Sequence, residues 1–456
     1  MSRQKLSVCM IVKNEAEFIE DCLKSVQPVA DQIVVVDTGS TDRTVEIAKQ
    51  YGAEVHTFEW VNDFSAARNA SIKYAKGDWI FWLDADERLM AESVAGLRRL
   101  LRPERKPVAY KVHIKNIMAD GKNFKISAGH RLFNNFKGIR FSGRVHEQII
   151  YSVAKLHGQE RNSDIFLLHL GYGLSQEKQR QKDERNRELL LQMVREEPNN
   201  AYAHFTLGQN YLLTNEPEKA LPHYLKALKL KGLNAELRVN VLNTAAEAYL
   251  KLGDPDNALN YVQQSLQQAP RQIAAYYLMY RIYEKAGKQD EAIEWLEKLM
   301  EMNRDSTVTN RQIATDIFLK KTDILVTLSD LLHKAGKIEE AISRLQQAVQ
   351  MEPDNQLLFK RLLSLLLEAE KWQEAFMLIQ QKNDNDNPEL LDIKGFVQIK
   401  QKDFAGAIQT YAHLFQLQPD NMATVKRLAG LFMKIGEKEK ANQLLEMIHQ
   451  IERNSA

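Results

Sequence analysis

Residues 78–87 read Asp-Trp-Ile-Phe-Trp-Leu-Asp-Ala-Asp-Glu, an apolar run that ends abruptly in acids. Its centre, residues 80–83, is too short for a typical helix and predicts a strand buried on both faces. Asp84 and Asp86 are two residues apart, so an extended chain would place both carboxylates on the same side. Such a pair suits a hard divalent cation that also binds phosphate oxygens, although two solvated acids would fit the same pattern.

The chain before these acids alternates short apolar runs with stretches of helical periodicity. We predict strands at residues 6–12, 33–36, 54–58 and 80–83, and helices at 16–26, up to about 51, and 63–75. This alternation indicates a parallel sheet covered on both faces, which binds ligands beyond the carboxyl ends of its strands. Polar groups converge there after three strands, namely Lys13-Asn14-Glu15, Asp37 and Asp84-Ala85-Asp86.

Glycine-rich phosphate loops are missing from this part of the sequence. No G-x-G-x-x-G follows the first strand and no G-x-x-x-x-G-K-[ST] occurs, which argues against a dinucleotide fold and a P-loop enzyme. Phosphates bound without such a loop need another source of positive charge. A metal on Asp84 and Asp86, helped by Arg68, would supply it.

Five short motifs of this region resemble those of glycosyltransferase family 2. Asp37-Thr38-Gly39-Ser40-Thr41-Asp42 is similar to the family's V-D-D-G-S-x-D turn, Lys13-Asn14-Glu15 to its N-E, and Asp84-Ala85-Asp86 to its D-x-D, while Ala67-Arg68-Asn69 and Gly77-Asp78 recur there too. The resemblance implies a GT-A fold, which is an α/β nucleotide-diphosphate-sugar-binding domain with a Rossmann-like, mostly parallel sheet. It also implies an inverting transferase that uses Mn²⁺ or Mg²⁺. Thr38 replaces a common second acid, which makes the donor harder to infer, and a UDP-sugar is expected from family habit.

The resemblance also assigns roles to individual residues. Asp86 is the expected direct metal ligand, Asp84 faces the ribose or a metal-bound water, and His169 is either a third ligand or a structural histidine. The expected nucleotide-sugar-binding residues are Lys13, Asn14, Glu15, Asp37, Gly39, Ser40, Arg68, Asn69, Asp84, Ala85, Arg131 and His146.

After residue 108 the alternation with helices stops and an antiparallel extension is expected. Strands are predicted at residues 108–118 and 123–127 around an Asp-Gly turn at 119–122, then from 130 and over 165–170. This region resembles the group within the family that has R-L-F, then V-H-E, then H-x-G-Y. It would close the site on the acceptor side.

Inverting transfer needs a base that takes the proton of the acceptor, and a carboxylate suits a hydroxyl acceptor. Glu147 is the candidate, with an ion-paired Glu at a strand edge as the alternative. His146 would orient Glu147 or contact acceptor or phosphate. Arg131 and Arg144 would face the diphosphate or be surface charges.

The remaining chain is helical and repetitive. A bridging helix is predicted at 176–197, and prolines at 270, 353 and 419 each follow by twelve residues one of a series of alanines, Ala220, Ala258, Ala292, Ala341, Ala375, Ala407 and Ala441. Their spacing fits the tetratricopeptide (TPR) pattern of about 34 residues and predicts about seven repeats, with an insertion near 303–315. We therefore predict a catalytic domain at 1–174, a linking helix at 175–198 and an all-α TPR solenoid at 199–456.

The composition and net charge of the chain limit the possible functions. The net charge of +2 with no long basic tract leads us to expect no nucleic-acid partner, and Cys9 and Cys22 read as buried hydrophobes. No signal peptide or membrane span is recognisable, so a cytoplasmic protein is expected. The leading hypothesis is a glycosyltransferase whose solenoid recruits a protein or peptide acceptor or drives homodimerisation. The alternatives are a lipopolysaccharide-type acceptor and a non-catalytic scaffold.

Overall fold

The computed structural model describes residues 3–117, 124–170, 176–302, 315–316, 319–382 and 384–454. The chain divides into two compact units, Met1–Lys320 and Lys321–Ala456. The first unit holds a mixed sheet and three helix pairs, and the second holds four helix pairs. None of the helices in the described ranges combines the length and the apolar character that a membrane span requires.

The sheet of the first unit contains nine strands within the described residues. They are β1 Leu6–Val12, β2 Gln32–Asp37, β3 Glu54–Thr57, β4 Trp79–Leu83, β5 Glu87–Leu89, β6 Val108–Ile117, β7 Phe124–Asn134, β8 Gln159–His169 and β9 Thr315–Asp316. The helices that accompany them are α1 Ile19–Val26, α2 Thr44–Gln50, α3 Phe64–Tyr74, a 3₁₀ turn at Ala91–Ser93, α4 Val94–Leu100 and α5 Ile150–Lys155.

The strand order is β3-β2-β1-β4-β7-β6-β8-β5, with β9 beside β7. Strands β1 to β4 are mutually parallel, which confirms the predicted alternation. Beyond β4 the sheet is mixed, because β7 is antiparallel to both β4 and β6, while β8 is parallel to β6. The carboxyl ends of β1, β2 and β4 therefore lie side by side at one edge, called the rim below.

Apolar residues on both faces explain why the parallel strands are central. Phe81 and Leu83 of β4 belong to one buried cluster, and Ile80 belongs to a second cluster on the opposite face. Each such side chain contributes about 1.5–3 kcal/mol when fully buried. The two cysteines, Cys9 and Cys22, are free and buried in this core, as predicted.

Two predictions about the later strands are wrong. The runs at 123–127 and 130–133 form one strand, β7, because it pairs with β6 from Ile117↔Phe124 to Ala109↔Phe133. Strand β8 begins at Gln159, six residues before the predicted start, since its polar first half pairs with β6 at an exposed edge. The predicted turn at 119–122 lies outside the described residues, as does most of the predicted insertion at 303–315.

The helical part begins with α6, Gln176–Glu196, where a bridging helix was predicted. Seven helix pairs follow: α7 Ala201–Leu213 and α8 Pro217–Lys229, α9 Ala235–Leu252 and α10 Pro255–Gln268, α11 Ile273–Lys285 and α12 Gln289–Met302, α13 Lys321–Lys334 and α14 Ile338–Met351, α15 Gln356–Glu368 and α16 Trp372–Gln381, α17 Pro388–Lys400 and α18 Phe404–Leu417, α19 Met422–Lys434 and α20 Lys438–Asn454. Each repeat alanine lies in the second helix of its pair and is fully buried, so a small side chain lets the two helices approach closely.

The two compact units do not coincide with the predicted domains, because the first unit ends at Lys320 and the predicted catalytic domain at residue 174. Within the first unit, Val145 of the sheet domain forms a buried cluster with Leu189 and Leu190 of α6 and Leu207 of α7. The division at residues 174 and 198 stays a prediction.

Two glycines of the helix pairs face tyrosine rings. A Cβ at Gly395 of α17 would lie 2.6 Å from the Tyr411 ring of α18, and Gly208 of α7 stands in the same relation to Tyr224 of α8. Gly430 of α19 has no heavy atom within 4 Å of a built Cβ. Glycine is thus required by packing at the first two positions and not at the third.

We expect Gly395→Ala to lower the free energy of unfolding by about 1–3 kcal/mol, because the methyl group overlaps the Tyr411 ring. The matched control Gly430→Ala should raise it by up to about 1 kcal/mol, since alanine favours a helix interior. Urea unfolding of the full chain measures both. Equal stability of the two variants would contradict the packing explanation.

Candidate active site

The loops after β1 and β2 are fastened to each other at the rim. The backbone of Asn14 adopts a left-handed conformation with φ of 57°. Its amide N–H donates to Ser40 Oγ at 3.0 Å, and its Oδ1 accepts the N–H of Thr41 at 2.8 Å. Asn14 and Ser40, both predicted for the site, are thus brought together at adjacent strand ends.

Asp37 ends β2 and shapes the turn that follows. Its carboxylate accepts the N–H groups of Gly39 at 3.2 Å and Ser40 at 3.1 Å. Gly39 has φ of 106°, a conformation that L side chains rarely adopt. Asp37 is buried at 6% exposure, so its carboxylate belongs to the wall of the rim.

Arg68 of α3 is the buried cation of the site. Its Nη2 donates to Asp84 Oδ1 at 2.7 Å, and its Nε donates to Glu147 Oε1. The guanidinium lies over the Trp82 ring, 4.0 Å from its centroid. One guanidinium therefore joins the acid after β4 to the acid of the 143–148 segment.

Arg131 of β7 supplies a second buried cation. Its Nη2 lies 2.6 Å from Glu87 Oε1 and 3.6 Å from Asp84 Oδ2, and its guanidinium covers the Trp82 ring at 3.5 Å. Its Nε and Nη1 are buried and have no hydrogen-bond partner among the described residues. The Trp82 ring therefore faces two cations, which is favourable for an electron-rich aromatic surface.

These charges set the protonation of the acids. Burial opposes ionisation of Asp84, yet Arg68 and Arg131 hold its pKa well below the ordinary value of 3.8. Glu87 is buried at 2% exposure, and burial raises its pKa to about 7 although Arg131 acts in the opposite direction. The Asp84 backbone N–H donates to Glu87 Oε2 at 3.0 Å, so Glu87 orients the acidic turn.

The two aspartates of the D-x-D motif diverge. The carbonyl of Asp84 accepts the N–H of Glu87 at 3.1 Å, so residues 84–87 turn and the expected extended geometry is wrong. Asp84 faces Arg68, whereas Asp86 Oδ2 lies 3.1 Å from His169 Nε2. The turn occurs because the buried Glu87 carboxylate binds the Asp84 amide.

His169 lies between two oxygen atoms. Its Nδ1 is 2.9 Å from Asn116 Oδ1, and its Nε2 faces Asp86. Since both oxygens are acceptors, both ring nitrogens must present a proton or a cation. Burial lowers the pKa of His169, but the Asp86 carboxylate outweighs this and the net pKa is raised.

No group of three or more His, Cys, Asp or Glu side chains in the described ranges is arranged to hold a metal ion. Of the three residues predicted as metal ligands, Asp86 and His169 lie beside each other. A divalent cation would take the place of the proton on Nε2 between these side chains. Asp84, bound to Arg68, is not placed beside them as a third ligand.

The 143–148 segment closes the opposite side of the site. Glu147 is buried at 9% exposure, and His146 is exposed with φ of 55°. Backbone hydrogen bonds between Ser142 and Gln148, at 2.9 and 3.0 Å, close the loop. The segment thus presents Glu147 to Arg68 from a tight bend.

Comparisons with known proteins agree with this architecture. The family model for glycosyl transferase family 2 matches residues 7–157, and tetratricopeptide repeat models match 201–234, 249–309, 326–388 and 398–456. A TPR repeat-containing protein of Synechococcus elongatus is 36% identical over 296 residues, covering 62% of this chain and 72% of that protein.

Residues 7–157 belong to glycosyltransferase family 2, and a helical TPR region follows this domain. The SPbeta prophage-derived glycosyltransferase SunS of Bacillus subtilis is 30% identical over 222 residues, which cover 48% of this chain and 52% of SunS. An uncharacterized glycosyltransferase of Rickettsia bellii is 42% identical over 89 residues, 20% of this chain and 30% of that protein. The matched part therefore spans about half of SunS and less of the Rickettsia protein.

Within the family 2 domain, other predicted residues have structural roles. Both polar atoms of the Asn69 amide bind the Phe141 backbone, at 3.0 and 2.9 Å, so Asn69 supports the wall of the site. Lys13 is exposed, and the carbonyl of Ala85 accepts from Arg88 at 2.7 Å.

Arg144 is not part of the Arg68 cluster. It forms two hydrogen bonds to Glu196 of α6, at 2.9 and 2.7 Å. The alternative of a surface charge describes it better than a contact to the diphosphate, because its partner lies on the bridging helix.

Glu87, Trp82 and Tyr202 were not predicted for the site. Glu87 follows the D-x-D directly, and a third acidic residue so soon after a buried strand is a signal that could have found it. The Trp82 stacking was not predictable, because it depends on cations from α3 and β7 that are distant in sequence. The hydroxyl of Tyr202 in α7 donates to the carbonyl of His146 at 3.2 Å, a contact with no sequence signal.

Glu15 lies half-buried near the acids of the rim. Burial, with the charges of Asp86 and Asp84, raises its pKa from 4.5 to about 7. Its backbone N–H donates to Thr44 Oγ1 at 2.8 Å, which holds the residue in place. Glu15 is therefore, like Glu87, an acid of the site whose charge changes near neutral pH.

Replacement of Arg68 tests the cluster. We expect Arg68→Gln to lower the free energy of unfolding by about 3–5 kcal/mol, because it leaves Glu147 without its buried cation and leaves Asp84 with Arg131 alone. The control Arg161→Gln removes a half-exposed ion pair with Glu104 and should cost at most about 1 kcal/mol. Urea unfolding measures both variants, and a similar loss in each would refute the role of Arg68.

The Glu15 carboxyl predicts a pH dependence of stability. Because its pKa is raised in the folded protein, its stabilising contribution is complete below about pH 4.5 and is lost as the pH rises through about 7. Relative to Glu15→Gln, the wild-type protein should therefore lose stability between about pH 5 and about pH 8. Thermal unfolding with a chelator present measures the difference. A difference that does not vary with pH would exclude this assignment.

Proposed function

We propose that the protein is an inverting glycosyltransferase that transfers a sugar from a nucleotide diphosphate sugar, with UDP as the nucleotide, to an acceptor hydroxyl. One observation carries the proposal: the Arg68 guanidinium hydrogen-bonds both Asp84 of the D-x-D and Glu147 of the 143–148 segment. The acid expected on the sugar-donor side, Asp84, and the candidate base, Glu147, are thus both bound by one side chain. A single displacement at the anomeric carbon requires such proximity.

The donor would bind at the rim. Asn14 and Ser40 link the two loops that would enclose the nucleoside, and Asp37 holds the turn between them. Arg68 and Arg131, the two cations of the buried cluster, would offset negative charge on the diphosphate. This arrangement suits a fold without a glycine-rich phosphate loop.

A divalent Mn²⁺ or Mg²⁺ would bind between Asp86 and His169. When bound, the metal would neutralise charge on the leaving diphosphate. The fit rests on the 3.1 Å approach of Asp86 Oδ2 to His169 Nε2 and on the hydrogen bond that orients the ring through Asn116. Asp84 would orient Arg68 and would not bind the metal directly. This role differs from the expected one beside the ribose or a metal-bound water.

Glu147 would act as the base. Its Oε1 is bound to Arg68, whereas its Oε2 has no hydrogen bond to a described residue. That oxygen can accept the proton of a hydroxyl as it attacks the sugar. His146, next to it and exposed, would contact the acceptor.

The acceptor would be a protein or peptide that the helical region recruits. Stacked helix pairs form extended surfaces that commonly bind peptides, and seven such pairs follow the transferase domain. Family 2 membership does not select this acceptor over a lipopolysaccharide-type sugar. The proposal therefore needs a test that separates the two.

Transfer is tested first through the donor. With a panel of nucleotide sugars and Mn²⁺, the wild-type protein should release nucleoside diphosphate, and Asp86→Asn should lower the rate by about 100-fold or more. Glu147→Gln should lower transfer by about 100-fold to 10,000-fold while leaving donor affinity unchanged, because it removes only the base. Asp164→Asn, at an exposed acid of β8, is the matched control. Metal-independent rates, or full activity of Glu147→Gln, would refute the mechanism.

The acceptor is tested with a donor that carries a labelled sugar, added with the full-length protein to heat-treated bacterial lysate. Label in protease-sensitive material supports a protein or peptide acceptor. Label that extracts with lipid or resists protease supports the lipopolysaccharide-type acceptor instead. Absence of both donor turnover and label supports a non-catalytic scaffold.

A further inference from the structure

The first helix of the TPR region reaches the bend that carries the candidate base. Tyr202 lies in the first turn of α7, just after the Asn200 N-cap. Its hydroxyl donates to the carbonyl of His146 at 3.2 Å and accepts from Gln148 Nε2 at 3.1 Å. The two hydrogen bonds therefore hold the residues directly before and directly after Glu147.

The bend needs external support because its backbone is unusual. His146 has φ of 55° and Gly143 has φ of 99°, conformations that are sparsely populated for most residues. A non-glycine residue persists there only where the surrounding structure holds it. The Tyr202 hydroxyl provides such a hold at the His146 carbonyl.

Other contacts fasten the same segment to the helices. Val145 is packed against Leu189 and Leu190 of α6 and Leu207 of α7. Arg144 is bound to Glu196 at 2.7 Å. The segment is therefore held by α6 and α7 on one side and meets Arg68 on the other.

We propose that Tyr202 is a positioning residue, through which the first TPR helix fixes the orientation of Glu147. The solenoid would then be part of the catalytic apparatus as well as a recruiting surface. This inference rests on the proposed role of Glu147 as the base. A misplaced base slows proton transfer without affecting the donor, since the hydrogen bonds and ring contacts of the Tyr202 side chain to described residues involve His146, Gln148, Tyr151 and Phe205 and none at the rim.

Tyr202→Phe in the full-length protein tests the proposal. The ring remains, and only the hydroxyl that binds His146 and Gln148 is lost. We expect kcat for transfer to fall by roughly 10-fold or more, while KM for the donor stays unchanged. The matched control is Tyr211→Phe in the same helix, whose hydroxyl has no hydrogen bond to a described residue and whose loss should change neither value.

A double-mutant cycle separates positioning from general damage. In the Glu147→Gln background, Tyr202→Phe should cause no further loss of residual activity, because the group that it orients is already absent. An equal fold-loss in both backgrounds, or wild-type kcat for Tyr202→Phe, would overturn the proposal.

Hydrogen–deuterium exchange gives a readout that does not need activity. The amides of Ser142 and Gln148, which bond each other across the bend, should exchange faster in Tyr202→Phe than in Tyr211→Phe or the wild type. Unchanged exchange would refute the positioning role even if activity falls. If the wild type shows no transfer while exchange rises as expected, the proposed function fails and the support of the bend by Tyr202 stands.

Discussion

The site depends on the placement of one buried cation, Arg68, between Asp84 and Glu147. The side chains of Arg68 and Glu147 are buried and that of Asp84 is 37% exposed. Desolvated charges are costly unless each has a partner with good geometry. Trp82 supplies a polarisable surface beneath the guanidinium, and Arg131 supplies a second positive charge for Asp84. The cluster is therefore better understood as a device for orientation than as a source of stability.

The same constraint explains the division of labour within the D-x-D motif. Since Asp84 is committed to Arg68, the carboxylate that remains beside a histidine is that of Asp86. Glu87, buried and bound to Arg131, turns the chain between them through the Asp84 amide. A single extended strand end would have presented both acids to one cation, whereas the turn gives them different partners. This separates a structural role from the proposed metal-binding role.

Much of the fold followed from local patterns. The parallel strands β1 to β4 were predictable because their apolar runs are short and end in polar residues, and the helix pairs because small residues recur at the spacing that close helix packing requires. The residues of the rim, Asn14, Asp37 and Ser40, followed from strand ends that must lie together. The partners of Asn69 and Arg144 did not follow, because Phe141 and Glu196 are 72 and 52 residues away and any polar group could have filled those positions.

The sequence by itself determined the family, the parallel half of the sheet and the set of acids at its rim, since these depend on periodicity and on motifs of a few residues. The tertiary structure decided which acid pairs with which arginine or histidine. It also placed Tyr202 of a repeat helix against the bend at His146. Such pairings depend on packing between segments far apart in the chain, where one buried charge or hydroxyl selects its partner by geometry rather than by local propensity. For this reason the first repeat helix, which reads in the sequence as part of a separate module, contacts the 143–148 segment of the sheet domain in the structure.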